Sequence, residues 1–364
     1  MYTSFSVERF RGLTKCALSD LRPITLITGT NNTGKTALLE AMLIHAGRSN
    51  PQLALVANSL RGIARINVDP SHHSDPPWLS LFSNFDDSKT VKFVGEAFNK
   101  FKHSEVVTVA LSTVREGVEL AGLGANLQQF NQWDTSVGLT KVLKLELSSG
   151  RRPKASRHFL IIDSKQQRVV PPPVVPDAPA RFISAHNREG SEFIAQQFSE
   201  FEIKDHIKLL VEALQPMEPR LKDLRILFNG ETALYGDIGL PNRKFIPLSL
   251  MGDGLNRVAS LVLNIGSCPN GVVLIDDIDT GLHYSVMESF WRSIFAAGRL
   301  FNTQVIATTH SGECVKAALD ANNAEDDRTR LGLVRLERGI NEVKAFNYSP
   351  EELDLAFKAD LEVR

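Results

Sequence analysis

Gly29-Thr30-Asn31-Asn32-Thr33-Gly34-Lys35-Thr36 is the stretch on which the reading of this 364-residue chain turns. It matches GxxxxGK[ST] in full. Glycines at both ends let the backbone wrap so that its N–H groups point inward at phosphate oxygens. A helix starting behind the loop adds a favourable dipole. On this reading Gly29, Thr30, Asn31, Asn32, Thr33 and Gly34 cradle phosphates. Lys35 reaches the β- and γ-phosphates, and the Thr36 hydroxyl ligates Mg²⁺. The competing reading is a chance glycine turn before a helix. The flanks argue against it: Ile24–Thr28 reads as an apolar strand, and Leu38, Leu39, Met42 and Leu43 mark one face of a helix.

Three further segments complete the pattern. Val272–Ile275 is an apolar strand that ends in Asp276 and Asp277. In phosphate-loop ATPases the first carboxylate at such a tip holds Mg²⁺ and the next polarises the attacking water. Asp276 takes the metal role and Asp277 the catalytic water role. Val305–Thr309 is a second apolar strand, ending in His310, a histidine placed to hydrogen-bond phosphate or water. Ser249-Leu250-Met251-Gly252-Asp253-Gly254 precedes a helix, and a serine with two glycines there is again an anion-binding arrangement. A second such feature in a chain that already has one phosphate loop suggests a nucleotide shared between two chains.

Bulk composition narrows the classes. Apolar residues make up 43%, which excludes wholesale disorder. Lysine plus arginine number 41 against 42 acidic residues, which excludes a strongly basic nucleic-acid coat but leaves a local basic face open. Cys16, Cys268 and Cys314 are far apart and form no CxxC pair, so neither a disulfide framework nor a zinc ribbon is expected. No apolar run approaches 18 residues; the region 258–275 is cut by Asn264, Pro269 and Asn270. A soluble, cytoplasmic protein with no membrane partner is expected. His72-His73 with Asp69 and Asp75 reads as a solvated proline loop rather than a metal site.

The region 51–180 differs from its flanks. It holds alternating strand-like runs at Thr90–Val94, Val106–Ser112, Val142–Leu147 and His158–Asp163. A connector with five prolines, Pro171–Pro179, follows. No heptad pattern occurs, so no long coiled-coil arm is expected. Farther on, Asn229-Gly230 predicts a hairpin, and Ser349-Pro350-Glu351-Glu352 a capping box. The helix after Ser285 carries an apolar stripe, Met287, Phe290, Trp291, Ile294 and Phe295, that reads as core.

The order of these motifs resembles the ABC-type ATPase superfamily. The closest likeness is to the SMC-like branch that includes the ATPase domain of OLD (overcoming lysogenisation defect) proteins. Phe10-Arg11-Gly12-Leu13 looks like the FRG element of that branch. The resemblance covers residues 1–50 and 181–364. It implies an α/β P-loop NTPase of ABC-ATPase head type, a mixed central sheet with helices formed by 1–50 and 181–364; the β-rich antiparallel run between, with some helix, reads as an insertion over 51–180. It implies ATP and Mg²⁺ as cofactors and two heads paired around ATP. Ser249, Gly252 and Gly254 would then contact the γ-phosphate of the other subunit, and Asp279 would belong to the loop that crosses the interface. His310 would be the switch histidine, and Arg11 would lie near the nucleotide.

The departures are informative. Asp277 stands where the family has glutamate, one methylene shorter. Asn32 replaces a loop glycine, which asparagine tolerates because it enters the left-handed region more readily than most residues. Gln196 and Gln197 lie in the region of a Q-loop glutamine, yet read as surface positions. Asp277-Ile278-Asp279 mimics the DxD of a Toprim nuclease, but its place on the strand tip makes that coincidental. Only 54 residues follow His310, too few for a Toprim domain after the ATPase. The expectation is therefore an ATPase that dimerises around ATP–Mg²⁺ and works with a separately encoded effector, such as a Toprim-type nuclease, in defence against phage or foreign DNA. The alternatives are an SMC-like DNA-repair or DNA-binding ATPase, a transporter's nucleotide-binding subunit, and a scaffold that binds ATP without hydrolysing it.

Overall fold

The computed structural model describes residues 1–63, 75–98, 104–115, 141–150, 152–162, 167–176, 178–184, 191–241, 244–340 and 342–359. The histidine pair at 72–73 lies outside them.

The chain opens on a hairpin, β1 (Tyr2–Phe10) and β2 (Leu13–Leu18), that reverses at Arg11-Gly12 with Phe10 opposite Leu13. Next come β3 (Ile24–Thr28), α1 (Lys35–Ala46) and the short α2 (Leu53–Ser59). Five strands follow in the middle of the chain: β4 (Val91–Phe98), β5 (Ser104–Arg115), β6 (Lys141–Ser149), β7 (Arg152–Ile162) and β8 (Gln167–Val170). They pair antiparallel in sequence order, and β4 pairs with β1, so a seven-stranded sheet runs β2-β1-β4-β5-β6-β7-β8. The middle of the chain thus extends a sheet that the first eighteen residues begin, and that sheet crosses the boundary expected at residue 50.

Beyond it lie β9 (Ala180–Ile183), α3 (Ser191–Ile203) and α4 (Ile207–Leu214). A small three-stranded sheet joins β10 (Asp223–Asn229), β11 (Glu231–Asp237) and β12 (Ile246–Pro247); the expected hairpin forms, but it reverses on Gly230 with Asn229 opposite Glu231 rather than in a two-residue Asn-Gly turn. The last stretch alternates: α5 (Asp253–Gly266), β13 (Val272–Ile275), α6 (Met287–Leu300), β14 (Gln304–Thr308), α7 (Gly312–Asn323), β15 (Leu331–Arg338), β16 (Val343–Tyr348) and α8 (Pro350–Lys358). The six-stranded sheet has the order β16-β15-β3-β14-β13-β9, parallel except for the edge strand β16. This is a mixed α/β P-loop NTPase fold, and β14 stands between the strand before the loop and the strand with the aspartates.

Alternation along β13 shows how the layers stack. Val273 and Ile275 enter one core with Phe290, Trp291, Ile294 and Phe295 of α6, the stripe expected to be core. Val272 and Leu274 enter another with Leu38 and Met42 of α1 and with Phe5, Val7 and Phe93 of the antiparallel sheet. Helix α1 is therefore held between two sheets. It is buried at Ala37, Leu38, Leu39, Glu40, Ala41, Met42, Leu43, Ile44 and His45, nearly all round rather than on the one face its leucines suggested. Its end carries a buried polar pair: the Tyr2 hydroxyl lies 2.7 Å from His45 Nδ1, and His45 Nε2 lies 3.0 Å from the Val107 carbonyl. No described helix is long and apolar enough to cross a membrane.

Candidate functional site

The loop between β3 and α1 needs residues that accept positive φ. Gly29 and Gly34 sit at φ 138° and 97°, and Asn32 at 65°, the left-handed value for which asparagine is suited. Space enforces the glycines as well. A Cβ on Gly29 would meet the Leu336 carbonyl oxygen at 2.5 Å, and one on Gly34 would meet Leu13 Cδ2 at 2.5 Å. Within the loop the Thr33 hydroxyl donates to the Thr30 carbonyl (2.9 Å), and Arg338 Nη1 of β15 donates to the Asn32 carbonyl (3.1 Å).

Lys35 folds back over the loop. Its Nζ donates to the carbonyls of Gly29 (2.7 Å) and Thr30 (3.0 Å). Burial lowers its pKa, and Asp277 and then Asp276 oppose that shift. The Thr36 hydroxyl lies 3.0 Å from both carboxylate oxygens of Asp276, across 240 residues of sequence. Asp277 follows with φ 45°, a left-handed conformation uncommon for a side chain larger than glycine. Burial raises its pKa and the neighbouring Asp276 adds to this; His310 opposes, Asp279 raises it further, and Lys35 opposes. His310 Nε2 lies 3.8 Å from Asp277 Oδ1, with both side chains partly exposed. Lys35, Thr36, Asp276, Asp277 and His310 are thus brought together at the ends of three adjacent strands.

Ser249, Gly252 and Gly254 are not part of that cluster. Ser249 is exposed in the short helical turn Leu248–Leu250. Gly252 has φ 122° and precedes α5. A Cβ on Gly254 would lie 3.8 Å from both Leu282 and Val286, so this turn sits beside the loop that follows Asp279. Asp279 itself accepts a hydrogen bond from Thr309 Oγ1 (2.6 Å).

Arg11 differs from expectation. Its Nε forms a 2.7 Å ion pair with Glu40, and its Nη2 donates to the Ala57 carbonyl (3.1 Å) and Asn58 Oδ1 (3.1 Å). Arg61 grips the same carboxylate through Nε (2.7 Å) and Nη2 (3.1 Å). The guanidinium of Arg11 is committed to α1 and α2, because Glu40 is fully buried and a charge there requires partners. Gln197 is also placed differently: it is buried, with its amide oxygen bonded to the Ser267 hydroxyl, whereas Gln196 is exposed as expected.

Sequence reading passed over Thr308. Its Oγ1 donates to Asp276 Oδ1 (2.8 Å) and accepts from the Asp277 N–H (2.8 Å). The only signal was a threonine pair at the end of an apolar strand.

Among the described residues no group of three His, Cys, Asp or Glu side chains could hold a metal unaided. A hydroxyl and a carboxylate already in contact at a phosphate loop suit Mg²⁺, a hard cation that takes few protein ligands and completes its shell with phosphate and water.

Residues 146–313 match a family model described as "AAA domain, putative AbiEii toxin, Type IV TA system". A protein of Helicobacter pylori named "ATP/GTP phosphatase" is 22% identical over 378 residues, covering 98% of each chain. Among solved structures, an SMC head bound to the C-terminal winged-helix domain of ScpA aligns with a TM-score of 0.48 at 11% identity, covering 98% of this chain and 99% of that one. An SMC head domain from Thermotoga maritima aligns with a TM-score of 0.42 at 10% identity, covering 95% and 98%. The phosphate loop, the strand-tip aspartates and the AAA-domain match together make the chain an ATPase.

Proposed function

We propose that the chain is an ABC-type ATPase head of the OLD-like, SMC-related kind that closes as a homodimer around two ATP–Mg²⁺ molecules. The observation that carries this reading is the division of the site: Lys35, Thr36, Asp276, Asp277 and His310 converge, whereas Ser249 lies exposed on a separate turn. In the proposed dimer that turn meets the phosphate loop of the other copy.

In this scheme the loop N–H groups and Lys35 hold the phosphates. Lys35 exchanges its two carbonyl partners for phosphate oxygens, so little of its positive charge is left unmatched before nucleotide arrives. Thr36 and Asp276 hold Mg²⁺, which neutralises charge on the phosphates when bound. Asp277 accepts a proton from the attacking water, and His310 steadies the γ-phosphate or that water. Ser249 and the N–H groups near Gly252 and Gly254 seal the γ-phosphate in trans. The γ-phosphate thereby selects the closed dimer, and hydrolysis or release reopens it.

The partner is proposed to be a separately encoded effector, a Toprim-type nuclease, acting against phage or other foreign DNA in the cytoplasm. The motif order supports the OLD-like part. The match to a family described as a putative toxin of a toxin–antitoxin system supports a setting with a second protein. The name of the Helicobacter pylori relative supports turnover rather than binding alone.

One observation favours a second reading, a scaffold that binds ATP and turns it over slowly. Asp277 is one methylene shorter than the glutamate of the resembled family, so its carboxylate reaches less far toward the attacking water. Two measurements test the proposal. Turnover is expected to fall to background in both Lys35→Ala and Asp277→Ala; unchanged turnover in both removes the assigned roles. Sedimentation with ATP and Mg²⁺ is expected to show a dimer for Asp277→Asn and a monomer once Ser249→Arg is added.

A further inference from the structure

Two threonine hydroxyls stand behind the reacting groups. Thr308 closes β14 and Thr309 follows it, and both are fully buried. The Thr308 hydroxyl spends its proton on Asp276 Oδ1 (2.8 Å) and takes one from the Asp277 N–H (2.8 Å). Its backbone carbonyl accepts from the Ile278 N–H (3.0 Å). The Thr309 hydroxyl repeats the pattern one residue on: it donates to Asp279 Oδ1 (2.6 Å) and accepts from the Ser311 N–H (3.0 Å). The Thr309 N–H donates to the Ile27 carbonyl of the strand before the phosphate loop (3.1 Å). The turn 276–279 is therefore stitched to the turn 308–311 at successive points, and to β3 beyond.

We propose that Thr308 and Thr309 are positioning residues of the ATPase site. They lock the aspartate turn and the histidine turn into one body, so that Asp277 and His310 face each other across 3.8 Å. The inference rests on the roles given above to Asp276 and Asp277. A buried hydroxyl that donates and accepts fixes two partners at once, whereas a methyl of the same shape takes one bond from a carboxylate and one from an N–H. Asp277 makes the demand acute. Its backbone has a positive φ that few non-glycine residues adopt, and the bond from its N–H to the Thr308 hydroxyl is one of those that tie this turn down. Asp279 lies at the head of the loop that reaches the turn beside Gly254, so Thr309 also ties His310 to the face proposed to meet the second copy.

The test compares steady-state ATP turnover and equilibrium binding of a fluorescent ATP analogue in wild type, Thr309→Val, Thr309→Ser, Asp279→Asn, the Thr309→Val/Asp279→Asn double variant, and Lys35→Ala. Thr309→Val is expected to lower kcat about tenfold with KM and analogue affinity within about twofold, the split that marks loss of alignment rather than of binding. Serine is expected to restore kcat to within about threefold. The double variant is expected to be no slower than Thr309→Val, because the two residues act as one unit. Equal losses in the valine and serine variants overturn the inference, as does fully additive loss in the double variant. Wild-type kcat in Thr309→Val with an inactive Lys35→Ala also overturns it while leaving the site reading intact. Wild-type turnover in Lys35→Ala overturns the site reading itself. Should Thr309→Val melt below the assay temperature, Thr309→Ser and Asp279→Asn decide: an active serine variant beside an Asp279→Asn variant slowed in kcat alone supports the inference, and any other pairing overturns it.

Discussion

The two large sheets obey different rules. In the parallel-centred sheet every residue of β3, β13 and β14 is buried, because helices or a second sheet cover both faces. Such strands meet solvent only at their ends, and the phosphate loop, Asp276, Asp277 and His310 all sit at ends on one side. In the antiparallel sheet burial alternates; β2 is buried at Leu13, Cys16 and Leu18, with Thr14, Lys15 and Ala17 exposed. Its polar side chains are spread along the strands, and nothing forces them to converge. A sheet covered on both faces concentrates its chemistry, whereas a half-covered one disperses it.

The contrast can be broken at several points. Lys35→Ala or Asp276→Ala is expected to lower ATP turnover at least about a hundredfold, the scale of losing one preorganised electrostatic contact; a phosphate-release assay measures it. Leu26→Ala in β3 is expected to cost about 2–5 kcal/mol in urea unfolding, since the side chain is fully buried between packed layers. The seam between α1 and the antiparallel sheet is expected to be acid-sensitive. Burial lowers the pKa of His45 to about 4, below its ordinary 6.5. The unfolded chain then binds the extra proton first, so stability is complete above about pH 6.5 and falls as pH drops toward 4, by about 3 kcal/mol in all. Urea midpoints across that range, flattened in His45→Phe, check the sign.

Two smaller effects sharpen the picture. Asp277 protonates above the usual carboxylate range because of burial and Asp276. The acid limb of kcat/KM, which reports the free enzyme, is therefore expected at a higher pH than a free aspartate dictates. Lys141→Ala removes an exposed 2.8 Å ion pair with Asp87 at the start of β6 and is expected to change stability by less than about 1 kcal/mol. A cost equal to that of Leu26→Ala would end the distinction between the sheets.

What could be read from sequence was local. The loop spacing, the strand tips, the hairpin and the cap at Ser349 each depend on residues a few positions apart, and the cap forms both of its bonds as expected. What could not be read depends on partners far along the chain. Arg11 looked like a nucleotide ligand because its motif is local, yet Glu40 and Asn58 claim its guanidinium. Gln197 looked exposed because α3 is only weakly patterned, yet Ser267 holds it inside. The insertion at 51–180 looked separate because its composition changes there, but hydrogen bonding between β1 and β4 ignores composition. Thr308 carried only the weak signal of a threonine pair at a strand end, since its role exists only once β13 lies beside β14.

The phosphate loop is spelled out within the first tenth of the chain, yet its back wall is supplied by Leu336, and Arg338 clasps Asn32 from the same strand. Without β15 the chain would hold every letter of the motif but lack the Leu336 carbonyl behind Gly29 and the Arg338 bond to Asn32. The shape that captures a nucleotide thus depends on a contact that spans 306 residues of sequence.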